Sequence, residues 1–274
     1  MILVVGRSSF IAREFLKTSD QVSIVSVRHF ELEKIWNISN IDCIVNFAFA
    51  PGMYTDAYSP EIDVDRKLGA FAAARGIHYV MMSSRKVYGA SVQWNAREEA
   101  LVTGQDAYGR NKIRVEQILQ EMLGSKLTIL RPGNVFGFER QPGRTRFGAY
   151  LLNQLADNGE IRLTVSAHVR RDLVPVDFFC QVLRKVVAKK PSGIINVGGG
   201  QAVEVGQIAS SIIEGYGRGK LIADSTNVVD EFQLNSGRLT SELGLTCGVE
   251  RIEQFSKELG LKLKNEVESN GSRH

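Results

Sequence analysis

The sequence predicts an α/β chain built on a doubly wound, mostly parallel sheet. Short β-branched runs alternate with longer helix-periodic stretches, the mark of repeated βαβ units. The first run feeds a glycine-led loop and then an amphipathic segment, the order in which such sheets bind phosphates. The residues best suited to chemistry all fall where a strand ends and a helix begins.

Taken in order, the strands are expected at Ile2–Val5, Val22–Val27, Cys43–Phe47, Tyr79–Met82, Thr128–Leu130 and Ile194–Val197. Helical periodicity falls at Phe10–Thr18, Val64–Arg75, Gly109–Leu123, Ala149–Asp157 and Phe178–Ala188. From Phe138 the pattern loosens into a basic loop with Arg140, Pro142, Gly143, Arg144 and Arg146. After Gly198-Gly199-Gly200 the chain leaves the sheet again. This predicts a sheet domain from residues 1–136 and 172–198, and a smaller discontinuous domain from 137–171 and 199–267. Residues 268–274 are a polar tail.

Composition narrows the function. At 274 residues with 43% hydrophobic content the chain can bury a large core, which excludes disorder. Its 34 basic and 30 acidic residues are spread along the chain, with no basic tract of the nucleic-acid-binding kind. The surplus of +4 mildly favours a small anionic ligand. Cys43, Cys180 and Cys247 are odd in number, far apart and without metal-ligand spacing, so core thiols in a reducing cytoplasmic setting are expected. The four histidines offer no metal site, and no apolar run is long enough to span a bilayer. The N-terminus shows neither a charged leader nor a cleavage site, and a soluble protein is expected.

The most informative stretch is Asp106-Ala107-Tyr108-Gly109-Arg110-Asn111-Lys112. A separation of four puts Tyr108 and Lys112 on one helix face, where a fixed ammonium would favour phenolate and draw the phenol toward the neutral range. Upstream, Ser83 and Ser84 close the strand in Met81-Met82-Ser83-Ser84-Arg85-Lys86-Val87-Tyr88-Gly89 and offer a hydroxyl to hold a carbonyl. The opening loop Gly6-Arg7-Ser8-Ser9-Phe10-Ile11-Ala12 has one glycine, with Ser9 and Ala12 where two more would stand. A pyrophosphate there would rest on the backbone N–H groups and dipole of the helix start.

Together these stretches resemble the extended short-chain dehydrogenase/reductase superfamily, which holds nucleotide-sugar epimerases, dehydratases and ketoreductases. Leu130-Arg131-Pro132-Gly133-Asn134-Val135-Phe136-Gly137 is similar to its segment after the sixth strand, and Arg171-Asp172-Leu173-Val174-Pro175-Val176-Asp177 to its Arg-Asp element. Ile195-Asn196-Val197-Gly198 matches the element after that. Asp42-Cys43-Ile44-Val45-Asn46-Phe47-Ala48-Phe49-Ala50 resembles the fourth-strand segment of the dTDP-4-dehydrorhamnose reductase branch, whose members reduce ketosugars.

The resemblance implies a Rossmann-type dinucleotide domain with a smaller substrate-binding domain, and a homodimer. Ser84, Tyr108 and Lys112 are the implied catalytic set. Gly6, Arg7, Ser9, Phe10, Ile11, Ser26, Arg28, Phe47, Ala48, Pro132 and Val135 would hold the cofactor with Tyr108 and Lys112. Ser84, Arg85, Lys86, Asn134 and Arg171 would meet the substrate, the last two at the sugar and the diphosphate. No second phosphate-clamping arginine is recognisable near Val229-Asp230-Glu231-Phe232.

The end of the second strand, Ser23-Ile24-Val25-Ser26-Val27-Arg28-His29, has no carboxylate for an adenosine ribose. Arg28 and Arg7 are either guanidinium forks for the 2′-phosphate of NADP or solvated surface residues. Arg85 and Lys86 are either a solvated turn or a grip on an anionic or hydroxyl-rich substrate. The expectation is an NADP(H)-dependent ketoreductase of a nucleotide-activated deoxy-ketosugar, with NADP(H) favoured over NAD(H). An epimerase or dehydratase of the same fold is the alternative, and a non-catalytic NADP-sensing protein a third.

Overall fold

Ile2–Val5 buries all four of its apolar side chains and forms the central strand β1 of a parallel sheet. A strand with both faces covered reads as a continuous apolar run, as this one does. The computed structural model describes residues 1–17, 24–140 and 146–271. The chain divides into two units, one made of Met1–Pro132, Asp177–Val197 and Asn235–Leu245, the other of Gly133–Val176, Gly198–Leu234 and the residues from Thr246 onward.

In the first unit β1 is joined by β2 (Ile24–Val27), β3 (Cys43–Asn46), β4 (His78–Met82), β5 (Leu127–Pro132) and β6 (Gly193–Val197). All pairings are parallel, in the order β2-β1-β3-β4-β5-β6. The strand order reverses between β1 and β3, where Val5 is level with Asn46, so the loops leaving these two strands part and open a crevice.

The helices of this unit are α1 (Phe10–Lys17), α2 (Val64–Arg75), α3 (Ala107–Leu123), nearly all of α4 (Val176–Lys189), and α5 (Gly237–Leu243). Asp63 caps α2 by accepting from the Arg66 N–H at 3.0 Å, and Asp106 caps α3 by accepting from the Gly109 N–H at 2.9 Å. Leu3, Val5, Ile44, Leu68, Met81, Leu119 and Ile129 are among the side chains of one buried cluster. Cys43 and Cys180 are buried and Cys247 half-buried, none of them in a disulfide among the described residues.

The sheet and most helices fall where the sequence places them. Thr18 to Ser23, at the end of the first expected helix and the start of the second expected strand, lie outside the described residues, as does Arg144. One difference is informative: the segment resembling a fourth strand is β3 here, because His29–Asn37 winds into 3₁₀ turns instead of adding a strand beyond β2.

The second unit pairs Asn134–Phe136 with Leu173–Pro175 and Glu160–Arg162 with Lys220–Ile222, both parallel, and Arg170–Arg171 with Val203–Glu204, antiparallel. Its helices are Phe147–Asn158, Val205–Tyr216 and Val249–Gly271. The last buries Ile252, Phe255, Leu259 and Leu263, a 3-4-4 spacing that follows the helical period. Asp172 ties this unit together: its buried carboxylate accepts from the N–H groups of Gly199 at 2.5 Å and Leu234 at 2.9 Å, and its carbonyl accepts from Asn134 at 2.9 Å. Among the described residues no helix is long and apolar enough to cross a membrane.

Candidate active site

Lys112 lies on the inner face of α3 with only 1% of its side chain exposed. Its ammonium stands 3.8 Å from Asp65 of α2 and 4.9 Å from the centre of the Phe49 ring. Asp65 also accepts from Asn46 Nδ2 and from the Tyr79 hydroxyl, each at 2.7 Å. Both bonds fall on Oδ1, which leaves Oδ2 to face the ammonium.

Tyr108, one turn earlier, is partly buried, with Ser84 among the groups acting on its phenol. Burial pushes its phenol well above the ordinary tyrosine value, and nearby Tyr54 and Asp65 push the same way, while Ser84 opposes them. The expectation that Lys112 draws the phenol toward neutrality is therefore corrected. The ammonium faces a carboxylate whose charge offsets its own, and burial dominates what is left.

Ser84 caps a short turn, its Oγ accepting from the Lys86 N–H at 3.2 Å. Lys86 Nζ reaches Asp106, the cap of α3, at 2.5 Å, so the serine turn and the start of the tyrosine helix are fastened together. Gly109 lets them close, since a Cβ there would overlap the Lys86 carbonyl. Arg85 is 4% exposed, with its guanidinium beside Gln105. Arg85 is thus buried within the unit, while Lys86, with 39% of its side chain exposed, pairs with Asp106 toward the surface.

Behind the serines, Ser83 donates to Glu116, which holds Arg131 at 2.6 and 3.0 Å. Arg131 donates in turn to the Tyr88 hydroxyl at 3.0 Å, and Tyr88 to Asn196 at 2.7 Å. The sequence marks Tyr88 as a landmark but gives no sign of this network, whose members are far apart along the chain.

At the crevice, Gly6 has φ +81°, and a Cβ on it would come within 2.7 Å of the Ala48 nitrogen and 2.9 Å of the Phe47 carbonyl carbon. Gly6, Phe47 and Ala48 are brought into direct contact by this approach. Ser9 donates its N–H to the Gly6 carbonyl and accepts from the Ala12 N–H at 3.2 Å, so the residue replacing a glycine serves as a cap for α1. The N–H groups of Phe10 and Ile11, in the first turn, have no acceptor within a helix. The Val27 carbonyl accepts from Gly6 at 3.0 Å and Arg7 at 3.3 Å, which places the β2 end, with Ser26 and Arg28, beside this loop.

A carboxylate does stand at the end of β2. Glu31 folds back to accept from the Arg28 N–H at 3.0 Å and from Lys34 at 2.7 Å. These bonds, the Lys34 one foremost, hold its carboxyl below the usual range, and the Arg7 charge adds slightly. The sequence points only to the strand end itself, whereas the acid arrives from the 3₁₀ turn, four residues beyond Val27.

Pro132 ends β5 in the first unit, while Asn134, Val135 and Arg171 belong to the second. Arg171 donates to the carbonyls of Asp230 at 3.3 Å and Val229 at 3.4 Å. The stretch searched for a second arginine is therefore one that Arg171 itself binds.

Residues 2–198 match the model of the NAD dependent epimerase/dehydratase family. The chain belongs to this family. As a member it is an NAD(P)-dependent enzyme of the extended short-chain dehydrogenase type. Solved structures agree at the level of the fold. A UDP-N-acetylglucosamine 4-epimerase from Methanobrevibacter ruminantium M1 is 16% identical, with a TM-score of 0.79 over 97% of this chain and 98% of that one. TunA, described as an NAD-dependent NDP-hexosamine 5,6-dehydratase of tunicamycin biosynthesis, is 17% identical, with a TM-score of 0.77 over 97% of both chains. A dTDP-4-dehydrorhamnose reductase from Yersinia enterocolitica is 15% identical, with a TM-score of 0.73 over 93% of this chain and 98% of that one. Epimerase, dehydratase and reductase thus share the fold of this family member.

Proposed function

We propose that the chain is an NADP(H)-dependent ketoreductase of a nucleotide-activated ketosugar. The observation that carries the reading is the placement of Tyr108, stacked 4.7 Å from Tyr54 and one helical turn from the buried Lys112, where burial favours the protonated phenol. A group that must give a proton to a developing alkoxide works from its protonated state.

The crevice residues fit a dinucleotide. Gly6 lets backbone come close, and the start of α1 offers the Phe10 and Ile11 N–H groups to a pyrophosphate. Arg28 and Arg7 are assigned to the 2′-phosphate, Ser26, Phe47, Ala48, Pro132 and Val135 to the remaining cofactor contacts, and Lys112 to the nicotinamide ribose. When bound, the nicotinamide supplies the hydride. Tyr108 gives its proton to the substrate oxygen, Ser84 donates a hydrogen bond to that oxygen, and Asp65 holds Lys112 beside them. Asn134 and Arg171 are assigned to the sugar and the diphosphate.

A second reading, an NAD-dependent nucleotide-sugar epimerase, is favoured by Glu31, since a carboxylate at the end of the second strand is the group that accepts from an adenosine ribose. One assay separates the readings. A reductase consumes reduced nicotinamide in step with added ketosugar nucleotide, seen as loss of its absorbance. Interconversion of two sugar nucleotides with no net oxidation supports the epimerase, and dinucleotide binding without any turnover supports a sensing role.

A further inference from the structure

Tyr54 is 64% exposed, so it adds little to the core, yet its ring is placed with care. It lies parallel to the Tyr108 ring, with centroids 4.7 Å apart and planes at 9°. Phe49 stands edge-on to both, 6.1 Å from each. The loop bearing Tyr54 is fastened to the helix bearing Tyr108 by one buried side chain: Asn111 Nδ2 donates to the carbonyls of Met53 at 3.1 Å and Thr55 at 2.9 Å, the two residues flanking Tyr54. Arg110 adds an ion pair to Asp56 at 2.9 Å. The residues between Tyr108 and Lys112 are therefore all in use, Gly109 for the serine turn and Arg110 and Asn111 for this loop.

We propose that Tyr54 is a positioning residue for Tyr108: its ring, set in place by Asn111, covers one face of the phenol and fixes the orientation of its ring. The inference rests on Tyr108 being the proton donor of the reaction. A face closed by a ring is closed to water, and a phenol out of water keeps its proton. The other groups facing this phenol are Ser84 from the turn after β4, Asp65 from α2 and Asp106 at the start of α3, with Lys112 one turn along. Tyr54 is the one among them that can be removed without emptying the core.

The test uses ligand-free protein labelled with ¹³C at tyrosine Cζ, with Tyr108→Phe identifying the Tyr108 signal among seven tyrosines. In Tyr54→Ala the ionisation of Tyr108 is expected to move down toward the ordinary tyrosine value near 10, by about one pH unit or more, and in Tyr54→Phe by less. Turnover of Tyr54→Ala should fall about tenfold through kcat, with KM for the dinucleotide unchanged and Tyr54→Phe restoring most of it. Asn111→Ala should shift the Tyr108 signal in the same direction. A Tyr108 signal that does not move in Tyr54→Ala overturns the proposal. Full turnover in Tyr108→Phe would remove the catalytic reading instead, while the titration still reports whether Tyr54 shields the phenol.

Discussion

The ammonium of Lys112 faces the carboxylate of Asp65 across 3.8 Å, with 1% and 3% of the two side chains exposed. Removing one partner of such a pair leaves a buried charge uncompensated. Asp65→Ala, which also takes the acceptor from the Tyr79 hydroxyl and leaves Asn46 Nδ2 only the Ala48 carbonyl, should destabilise the fold by about 3–5 kcal/mol. The double variant Asp65→Ala with Lys112→Met should recover part of that loss. Denaturant unfolding of the two single variants and the double one measures both; a double variant no more stable than Asp65→Ala alone would count against the pair.

Tyr108→Phe removes a hydroxyl and leaves the ring and its stack on Tyr54. Turnover should fall about 10²–10⁴-fold, as general acids typically contribute, while dinucleotide affinity changes little. Steady-state rates beside a binding titration check this, and turnover within a few-fold of the parent would rule out the proton-donor role.

Arg28 and Glu31 favour opposite cofactors. Arg28→Ala should lose roughly tenfold or more in NADPH affinity with NADH little changed, since a charge-assisted phosphate contact is worth about 1.5–3 kcal/mol. Glu31→Gln should leave NADPH binding intact. Calorimetric titration of both nucleotides decides, and a loss confined to NADH in Glu31→Gln would hand the preference to NAD.

His78 offers a pH test of the fold. Burial, aided by the charges of Lys190 and Lys126, lowers its pKa from 6.5 to about 4. The Thr128 hydroxyl donates to the Pro191 carbonyl, so the ring Nε2 carries the hydrogen it shares with Thr128 Oγ1 at 2.7 Å. The unfolded chain takes up this proton first as pH falls. The stability contributed is fully present above 6.5 and is lost between 6.5 and about 4. His78→Gln should show a smaller fall in Tm across that window than the parent, and parallel curves would refute the assignment.

Gly6→Ala should fail for two reasons, a φ of +81° and a Cβ 2.7 Å from the Ala48 nitrogen. Strain of this backbone type costs about 1–3 kcal/mol, and the overlap adds to it by forcing β1 and β3 apart beyond their ends. Thermal unfolding should show the loss, with dinucleotide binding weakened in the same variant.

The sheet was legible because both-sides-buried strands such as Ile2–Val5 and Cys43–Asn46 write continuous apolar runs. The Tyr108–Lys112 spacing was legible because a helix fixes which residues share a face. The tuning of that pair was not, since Asp65 lies on another helix and nothing in its own segment announces Lys112. Glu31 was hidden by the 3₁₀ turn, and Asn111 by being a polar residue inside a motif read for its ends. The long helix Val249–Gly271 does carry its period in Ile252, Phe255, Leu259 and Leu263, but in a stretch where only a loosely patterned domain was expected.

The chain comes back to the first unit after residue 234, and this return has a bearing on where the chain can be cut. Arg238 of α5 donates to the carbonyls of Ser192 and Ile194, alternate residues along the outer side of β6, and Asn235 joins Ala96 and Asn196. A chain ending at Val197 would hold all six strands but not Asn235–Leu245, the segment that reaches the β6 margin. Bare strand margins recruit other chains. A chain cut at Val197 to keep only the six strands is thereby open to edge-to-edge self-association at β6, the margin that Asn235–Leu245 covers in the full chain.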